Sequence, residues 1–271
     1  MADPLLRIAA ALERLSPPPP APADLAAHPA YVWRGQALEP ALRFRPLPLA
    51  RLVGIERQRD LLVANLERLA AGLPAQDVLL WGARGQGKSA LVGAAAAHVQ
   101  QARPGLALVQ AAAPALDSLP RLFDLLAPSP RAFALFVDDL GFEGVGDARA
   151  LRSLLEGGAE ARPDNVRLLV TSNRRHLLPR EHGGDEQAIN PRDAADDALA
   201  LADRFGLSLG FHALDQDGYL AIVRSYAEAN GLPVDAADAV GWATRRGSRS
   251  GRVAWQYVVE LAGREGRRLD R

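Results

Sequence analysis

The feature that most constrains this chain is a glycine-rich segment that follows a short apolar run. Residues 78–81 are apolar and predict a buried strand, and residues 90–101 are compatible with a helix. Between them, residues 82–89 match the pattern G-x-x-x-x-G-K-[ST], which requires a strand before it and a helix after it. The sequence therefore predicts a phosphate-binding loop, or P-loop, at this point of the chain.

The residue types in this loop suit a bound polyphosphate. Glycines let backbone N–H groups turn inward, and the helix that follows offers its positive N-terminal end. Lys88 supplies a mobile ammonium for the β- and γ-phosphates, and the Ser89 hydroxyl is a ligand for Mg²⁺. The residues expected to hold the nucleotide are Gly82, Ala83, Arg84, Gly85, Gln86, Gly87, Lys88, Ser89 and Ala90.

Composition independently singles out Lys88. The chain has 32 lysines and arginines together, and Lys88 is the only lysine among them. A compact ammonium and a planar guanidinium are not interchangeable, so a chain this rich in arginine has kept its one ammonium where the difference matters. A chance glycine-rich turn is the alternative, and the lysine and both flanks in register argue against it.

The other bulk properties exclude several classes of function. The formal net charge is zero, so overall charge gives no reason to expect nucleic acid or an anionic membrane as a partner. The chain lacks cysteine, which excludes disulfides and thiolate metal sites, and its five histidines show no paired metal-ligand spacing. No apolar run approaches the length of a membrane span, so we expect a cytoplasmic protein without a membrane partner.

Apolar and helical segments alternate through the middle of the chain. Strands are expected at residues 78–81, 105–110, 132–137, 166–172 and 207–211. Helices are expected between them, including residues 147–156 and 193–204, and residues 174–193 form a long polar stretch. This alternation predicts an α/β fold with a parallel five-stranded sheet flanked by helices. From residue 215 onward the pattern is only helical, which predicts a small all-helical lid. The expected domains are an N-terminal helix and Pro-rich arm (1–48), an α/β nucleotide-binding domain (49–213) and the lid (214–271).

Two interpretations remain open for residues 1–48. Helical spacing over residues 3–15 precedes a proline run at residues 16–22 that forces an extended segment. Tyr31, Trp33 and Phe44 are suited to pack on the main body. We favour a flexible arm over a helix that docks a partner, because terminal segments are often loosely attached.

Polar side chains follow two of the predicted strands, at the edge of the sheet that faces the nucleotide in a P-loop protein. Asp138 and Asp139 end the third strand, and Asn173 ends the fourth. We expect Asp138 to hold Mg²⁺, directly or through water, and Asp139 to orient or deprotonate the attacking water. Asn173 is expected to bind the γ-phosphate and that water. An Asp pair that caps a strand–loop junction and an Asn in a turn are the alternatives.

The chain resembles an AAA+ ATPase, because it has a P-loop, a Walker B acid pair, a strand-end Asn and a helical lid in this order. The chain is also similar to one bacterial AAA+ family, catalogued as domain of unknown function 815, over roughly residues 52–261. The segments that carry this similarity are residues 79–85, 138–143, 171–177, 203–207 and 246–252. The resemblance implies a cytoplasmic protein that binds ATP and Mg²⁺.

The resemblance also implies roles for residues outside the P-loop. Val53 and Gly54 would cradle adenine. Arg204 would act as an arginine finger that reaches the γ-phosphate of a neighbouring subunit in a homo-oligomer. Arg252, with Arg249 as the runner-up, would be the sensor 2 arginine that couples the lid to the γ-phosphate. The alternative for Val53 and Gly54 is a turn that leads into a helix. For Arg204 it is an ordinary arginine at a helix end, interacting with the helix dipole. For Arg252 it is a basic turn exposed to solvent.

The chain departs from the commonest AAA+ pattern at the second Walker B acid. This residue is Asp139 rather than glutamate, so its carboxylate is one methylene shorter and Glu143 is a second candidate for positioning the water. The shorter reach favours slow hydrolysis, with ATP acting more as a switch.

Three functions fit these features. The first is an oligomeric AAA+ ATPase that couples Mg-ATP hydrolysis to conformational work on an unknown protein partner. The second is an ATP-gated DNA-binding or loading factor of the initiator type, favoured by Arg204 and the basic residues 245–249 but lacking a visible base-reading motif. The third is a small-molecule kinase, which would not need a lid with sensor-like arginines. The first is our prediction.

Overall fold

The computed structural model describes residues 23–140, 162–173 and 203–269, together with Pro4, Arg7, Leu151, Leu154 and Leu155. Its strands are β1 (Ala30–Trp33), β2 (Leu38–Pro40), β3 (Val78–Gly82), β4 (Leu106–Ala111), β5 (Ala132–Val137), β6 (Val166–Ser172) and β7 (Leu207–Phe211). Its helices, numbered within these ranges, are α1 (Glu56–Ala70), α2 (Lys88–Ala102), α3 (Leu119–Leu126), α4 (Gln216–Glu228), α5 (Ala236–Arg245) and α6 (Gly251–Arg264). Short 3-10 helices occupy Leu49–Arg51 and Ala113–Ser118.

Some sequence predictions lie wholly or largely outside the described residues. They are the N-terminal helix at 3–15, the proline run at 16–22, the helix at 147–156, the polar stretch at 174–193, the helix at 193–204 and the role of Glu143.

The strands form one sheet in the order β2-β1-β4-β5-β6-β3-β7. All neighbouring pairs are parallel except β1 with β2. Every residue of β5 is buried, as expected for a central parallel strand covered on both faces. The α/β class, the parallel sheet and the five predicted strands are therefore confirmed.

The sheet has two strands more than predicted, because residues 30–40 form β1 and β2. The expectation of a flexible arm is wrong for this stretch. Tyr31 and Trp33 are 1% and 2% exposed, and the Trp33 indole donates a hydrogen bond to Ser118 Oγ at 2.8 Å. Strands of four and three residues are too short to show periodicity, and the partner that stabilises β1 is β4, more than 60 residues later in the chain.

The two faces of the sheet carry separate apolar cores. Helices α1 and α2 pack on one face, where Leu62, Leu66 and Leu91 are fully buried. Helix α3 packs on the other, with Leu119 and Leu122 against alternate residues of the same strands. Within the described ranges, no helix is both long enough and apolar enough to cross a membrane.

The predicted helical lid is present as α4, α5 and α6, which enclose a third apolar core around Tyr219, Val223 and Tyr257. Each helix begins at a side-chain cap: Asp215, Asp235 and Ser250 accept hydrogen bonds from backbone N–H groups in the first turn. The lid thus has its own core and its own caps, as its helical pattern predicts. The division of the whole chain at residues 48 and 213 stays a prediction.

A buried asparagine holds the backbone of Gln76, just before the start of β3. Asn65 in α1 is fully buried, and its side chain accepts from the backbone N–H of Gln76 and donates to the carbonyl of Gln76, both at 2.9 Å. Replacing Asn65 with alanine would remove the side-chain partner of both backbone groups of Gln76, which are part-buried. Because a hydrogen bond contributes about 0.5–1.5 kcal/mol to stability, we expect Asn65→Ala to lower the free energy of unfolding by about 2 kcal/mol. Urea denaturation checks this, and a loss below about 1 kcal/mol would contradict it.

Candidate functional site

The glycine-rich loop turns directly from β3 into α2, in a conformation that its glycines permit. Gly82 has a φ of 127°, and a Cβ there would lie 2.0 Å from the Phe211 carbonyl oxygen, so no other residue fits. Gly87 caps α2 with a φ of 90°. This backbone places Lys88 in the first turn of the helix, where unpaired N–H groups attract anions.

The Lys88 ammonium is enclosed by neutral oxygen atoms. Only 5% of the residue is exposed, and Nζ donates to the carbonyl oxygens of Gly82 at 2.9 Å and Ala83 at 3.0 Å and to Asn173 Oδ1 at 2.9 Å. Burial lowers the pKa of Lys88 from its usual value, while the carboxylates of Asp139 and Asp138 raise it. A phosphate at this position would supply the negative charge that favours the ammonium form.

Asp138 lies next to the P-loop serine. Its Oδ1 accepts hydrogen bonds from Ser89 Oγ and from Thr171 Oγ1, both at 2.6 Å. A serine hydroxyl and a carboxylate are the hard oxygen ligands that Mg²⁺ takes beside phosphates, so these residues fit that metal. Among the described residues, no cluster of three or more His, Cys, Asp or Glu side chains offers another metal site. Thr171 was missed by sequence reasoning, although a polar residue in an apolar strand was a signal.

Asp139 has the left-handed backbone conformation, with a φ of 54°. Aspartate and asparagine tolerate this region better than longer side chains do, which gives a physical reason for Asp rather than Glu here. The backbone N–H of Asp139 donates to Thr171 Oγ1 at 2.8 Å, and Asn173 Nδ2 donates to Asp139 Oδ1. Asn173 therefore connects Asp139 to Lys88, so that the three side chains converge.

The lid closes over the P-loop at the start of α6. The backbone N–H of Arg252 donates to the Gly85 carbonyl at 3.3 Å, and Gln86 Nε2 donates to the Arg249 carbonyl at 3.1 Å. Arg252 lines the cavity around Lys88, and its charge acts to lower the pKa of Lys88. Arg249 contributes its backbone carbonyl to the contact with Gln86. Of the two candidate lid arginines, Arg252 is thus the one at the site.

The site opens into a cavity of about 880 Å³, within the size range of small-molecule sites. Of the predicted site residues, Arg84, Gly85, Gly87, Lys88, Ser89, Ala90, Asp138, Asp139, Asn173 and Arg252 line it. Leu52, which directly precedes Val53 and Gly54, also lines it. Sequence reasoning missed further lining residues from three parts of the chain, namely Arg43, Arg45, Pro46, Leu47, Thr171, Tyr226, Gly251 and Trp255.

Val53 and Gly54 line a neighbouring cavity of about 330 Å³ rather than the one around Lys88. It is built by the segment before α1, the end of β7 and the lid, and Gln86 also lines it. The two cavities are adjacent, because both are lined by Leu52, Gly87, Tyr226 and Gly251.

Arg204 lies away from both cavities. It is exposed in the turn before β7, at the amino ends of the strands, whereas Lys88 follows their carboxyl ends. The five residues of β7 span about 16 Å, which is more than an arginine side chain reaches. Arg204 is thus not part of the cluster around Lys88 in the same chain.

Solved structures share this fold at low sequence identity. The Holliday junction branch migration motor RuvB of Thermotoga maritima matches 84% of this chain and 69% of its own, with 16% identity and a TM-score of 0.53. The Aeropyrum pernix Orc1 protein, solved in complex with DNA, matches 83% and 66%, with 16% identity and a TM-score of 0.57. Domain III of the T. maritima replication initiation protein DnaA matches 82% and 91%, with 16% identity and a TM-score of 0.52.

These neighbours are AAA+ proteins, and at such identities they show the fold alone. No curated protein sequence matches the chain. A family model does match, over residues 26–265, which is most of the chain and includes β1, β2 and the lid. The chain therefore belongs to the family described as "Protein of unknown function (DUF815)" and has the AAA+ fold.

Proposed function

We propose that this protein is an ATPase that binds Mg-ATP around Lys88 and hydrolyses it at a site shared between subunits of a homo-oligomer. The observation that carries the proposal is one hydrogen-bonded cluster at the carboxyl edge of the sheet. In it, Lys88 contacts Asn173, Asn173 contacts Asp139, and Asp138 contacts Ser89. A cation, two carboxylates, an amide and a hydroxyl around a glycine loop are the groups that phosphoryl transfer to water requires.

Each side chain has a separable task in this proposal. Lys88 binds the β- and γ-phosphates, exchanging neutral oxygen partners for charged ones. Ser89 and Asp138 would hold Mg²⁺, which would supply positive charge against the phosphates. Asp139 orients the attacking water and accepts its proton, and Asn173 holds the Asp139 carboxylate in position. Adenine occupies the smaller cavity, against Val53 and Gly54.

The two arginines act from opposite directions. Arg252 acts within its own chain, because the first turn of α6 touches the P-loop. Since α6 belongs to the lid, Arg252 would move with the lid. Arg204 acts on the site of the adjacent subunit, since it lies at the opposite edge of its own sheet. ATP turnover would then be coupled to movement between subunits, and through the lid to an unknown protein partner in the cytoplasm.

Subunit mixing tests the shared site. Arg204→Ala keeps an intact pocket but lacks the finger, and Lys88→Ala keeps the finger but lacks the pocket. Each variant alone should hydrolyse ATP at least about 100-fold more slowly than wild type, because an arginine finger contributes about 10³–10⁵ to turnover. Mixing the two should restore activity, and wild-type activity per subunit should fall on dilution. An inactive mixture with a dilution-independent wild type would contradict the shared site.

A second candidate function is ATP-gated DNA binding. Arg245 ends α5, and Arg246 and Arg249 lie between α5 and α6. All three are exposed, and the Arg246 guanidinium lies 4.2 Å from the Trp242 ring centroid. This basic turn adjoins the P-loop through Gln86, so nucleotide could alter its position. DNA binding that requires ATP and weakens with salt would favour this function over a protein partner.

A further inference from the structure

The segment of residues 41–48 runs from β2 to the 3-10 helix before α1 and crosses the N-terminal half of α2. Phe44 and Leu47 are half-buried against the core that contains α1 and α2. Pro46 packs closely on Gly93 of α2: a Cβ added at Gly93 would lie 3.4 Å from the Cβ of Pro46. These contacts, together with the hydrogen bond from Ala41 N to Ala30 O at 2.9 Å, hold the segment on the domain.

Exposed and half-buried residues alternate along this segment, and two arginines are at exposed positions. Phe44 and Pro46 are half-buried, whereas Arg43 and Arg45 are exposed and line the cavity around Lys88. Arg43 and Arg45 also line an adjoining cleft of about 350 Å³, together with Ser89 and Asp138.

This position corresponds to one side of the proposed nucleotide. Ser89 and Asp138 lie on the side where Mg²⁺ and the terminal phosphates would be bound. The cavity that contains Val53 and Gly54, where adenine is placed, is lined by neither Arg43 nor Arg45. Arg43 and Arg45 are thus on the phosphate side of the site.

The charge of the lining supports an anionic ligand here. Among the described residues, five cationic side chains line the cavity against two carboxylates, Asp138 and Asp139. The cations are Arg43, Arg45, Arg84, Lys88 and Arg252. Two of the five come from the segment before α1, so the P-loop and lid account for only part of the positive field.

We propose that Arg43 and Arg45 bind the terminal phosphate of ATP within the same chain, and that residues 41–48 form a wall of the nucleotide site that distinguishes ATP from ADP. The inference rests on the proposed function, because it requires a nucleotide at Lys88. Guanidinium groups suit this task, since they bind phosphate oxygens in pairs.

Binding measurements on full-length variants test the inference. A non-hydrolysable ATP analogue and ADP are titrated by calorimetry into wild type, Arg43→Gln, Arg45→Gln and the double variant. We expect the double variant to bind the analogue at least about tenfold more weakly and to bind ADP within about twofold of wild type. Arg34→Gln is the matched control, because Arg34 is an exposed arginine of the same N-terminal region, paired with Glu39 at 3.3 Å, and should leave both affinities unchanged.

Trypsin gives a second measurement that does not depend on substitution. The bond after Arg43 is a trypsin site, whereas the bond after Arg45 precedes Pro46 and resists cleavage. The ATP analogue should slow cleavage after Arg43 in wild type more than ADP does, and mass spectrometry of the fragments measures this.

The outcomes separate the inference from the function on which it rests. If wild type binds the analogue and Lys88→Ala does not, but the double variant keeps the wild-type ratio of analogue to ADP affinity, the inference is wrong and the proposed function stands. Equal losses for analogue and ADP would also overturn the assignment to the terminal phosphate. If wild type binds no nucleotide, both fail.

Discussion

Lys88→Ala is expected to abolish measurable Mg-ATP binding while the protein remains folded. The ammonium donates three hydrogen bonds to neutral oxygens in this structure, and two of these partners are P-loop carbonyls. A hydrogen bond to a charged group contributes about 1.5–3 kcal/mol. Loss of contacts to two phosphates should therefore weaken binding at least about 100-fold. Calorimetric titration of ATP into wild type and variant, with circular dichroism to confirm folding, measures the effect.

The single lysine provides a control that needs no substitution. Lysine-specific reagents have only Lys88 and the N-terminal amine as targets in this sequence. We expect Mg-ATP to protect Lys88 from such a reagent without protecting the N-terminus, and intact-mass and peptide measurements distinguish the two. If Lys88→Ala keeps tight ATP binding, or if Lys88 is labelled without nucleotide and Mg-ATP leaves that labelling unchanged, the phosphate-binding role of the loop is wrong.

Asp139→Asn is expected to separate binding from hydrolysis. Asparagine has nearly the same shape and tolerates the left-handed backbone at this position, so the fold and the contact to Asn173 should survive. The amide cannot accept the proton of the attacking water. Because general base catalysis contributes about 10²–10⁴ to a rate, we expect turnover to fall at least about 100-fold, with ATP affinity within about threefold of wild type.

Asp139→Glu is the matched comparison, because it keeps the carboxylate but places a longer side chain on a backbone of positive φ. We expect this variant to be less stable than Asp139→Asn and not to exceed the wild-type rate. Single-turnover hydrolysis and thermal unfolding of the two variants give both values.

Wild-type hydrolysis in Asp139→Asn would show that another group, with Glu143 the first candidate, activates the water. If hydrolysis is lost as expected, the ATP-bound Asp139→Asn protein is a suitable bait for the unknown partner.

The local sequence was sufficient for the parts of this protein that local chemistry specifies. The strand–loop–helix pattern around Lys88 predicts the P-loop, because the glycines of the loop adopt backbone conformations that few other residues can adopt. The apolar runs that end in Asp138 and Asn173 predict strands whose carboxyl ends meet, because parallel strands bring their ends to one edge of a sheet. The clustering of these side chains with Lys88 follows from that topology.

Other features depend on parts of the chain that are distant in sequence. β1 and β2 carry almost no periodic signal, and β1 becomes a strand because β4 supplies its hydrogen-bonding partner. The left-handed backbone of Asp139 is invisible in the residue string, although it explains why an aspartate is present.

The P-loop, five strands in their order along the chain, the helical lid and the acids and amide near Lys88 could all be predicted from the residues alone. The coordinates were needed to show which distant residues join that site: Arg252 rather than Arg249 from the lid, and Arg43 and Arg45 from a segment expected to be loose. This difference follows from the range of the interactions involved. Glycine conformation and apolar periodicity act over a few residues, whereas a cavity wall is set by packing such as that of Pro46 on Gly93.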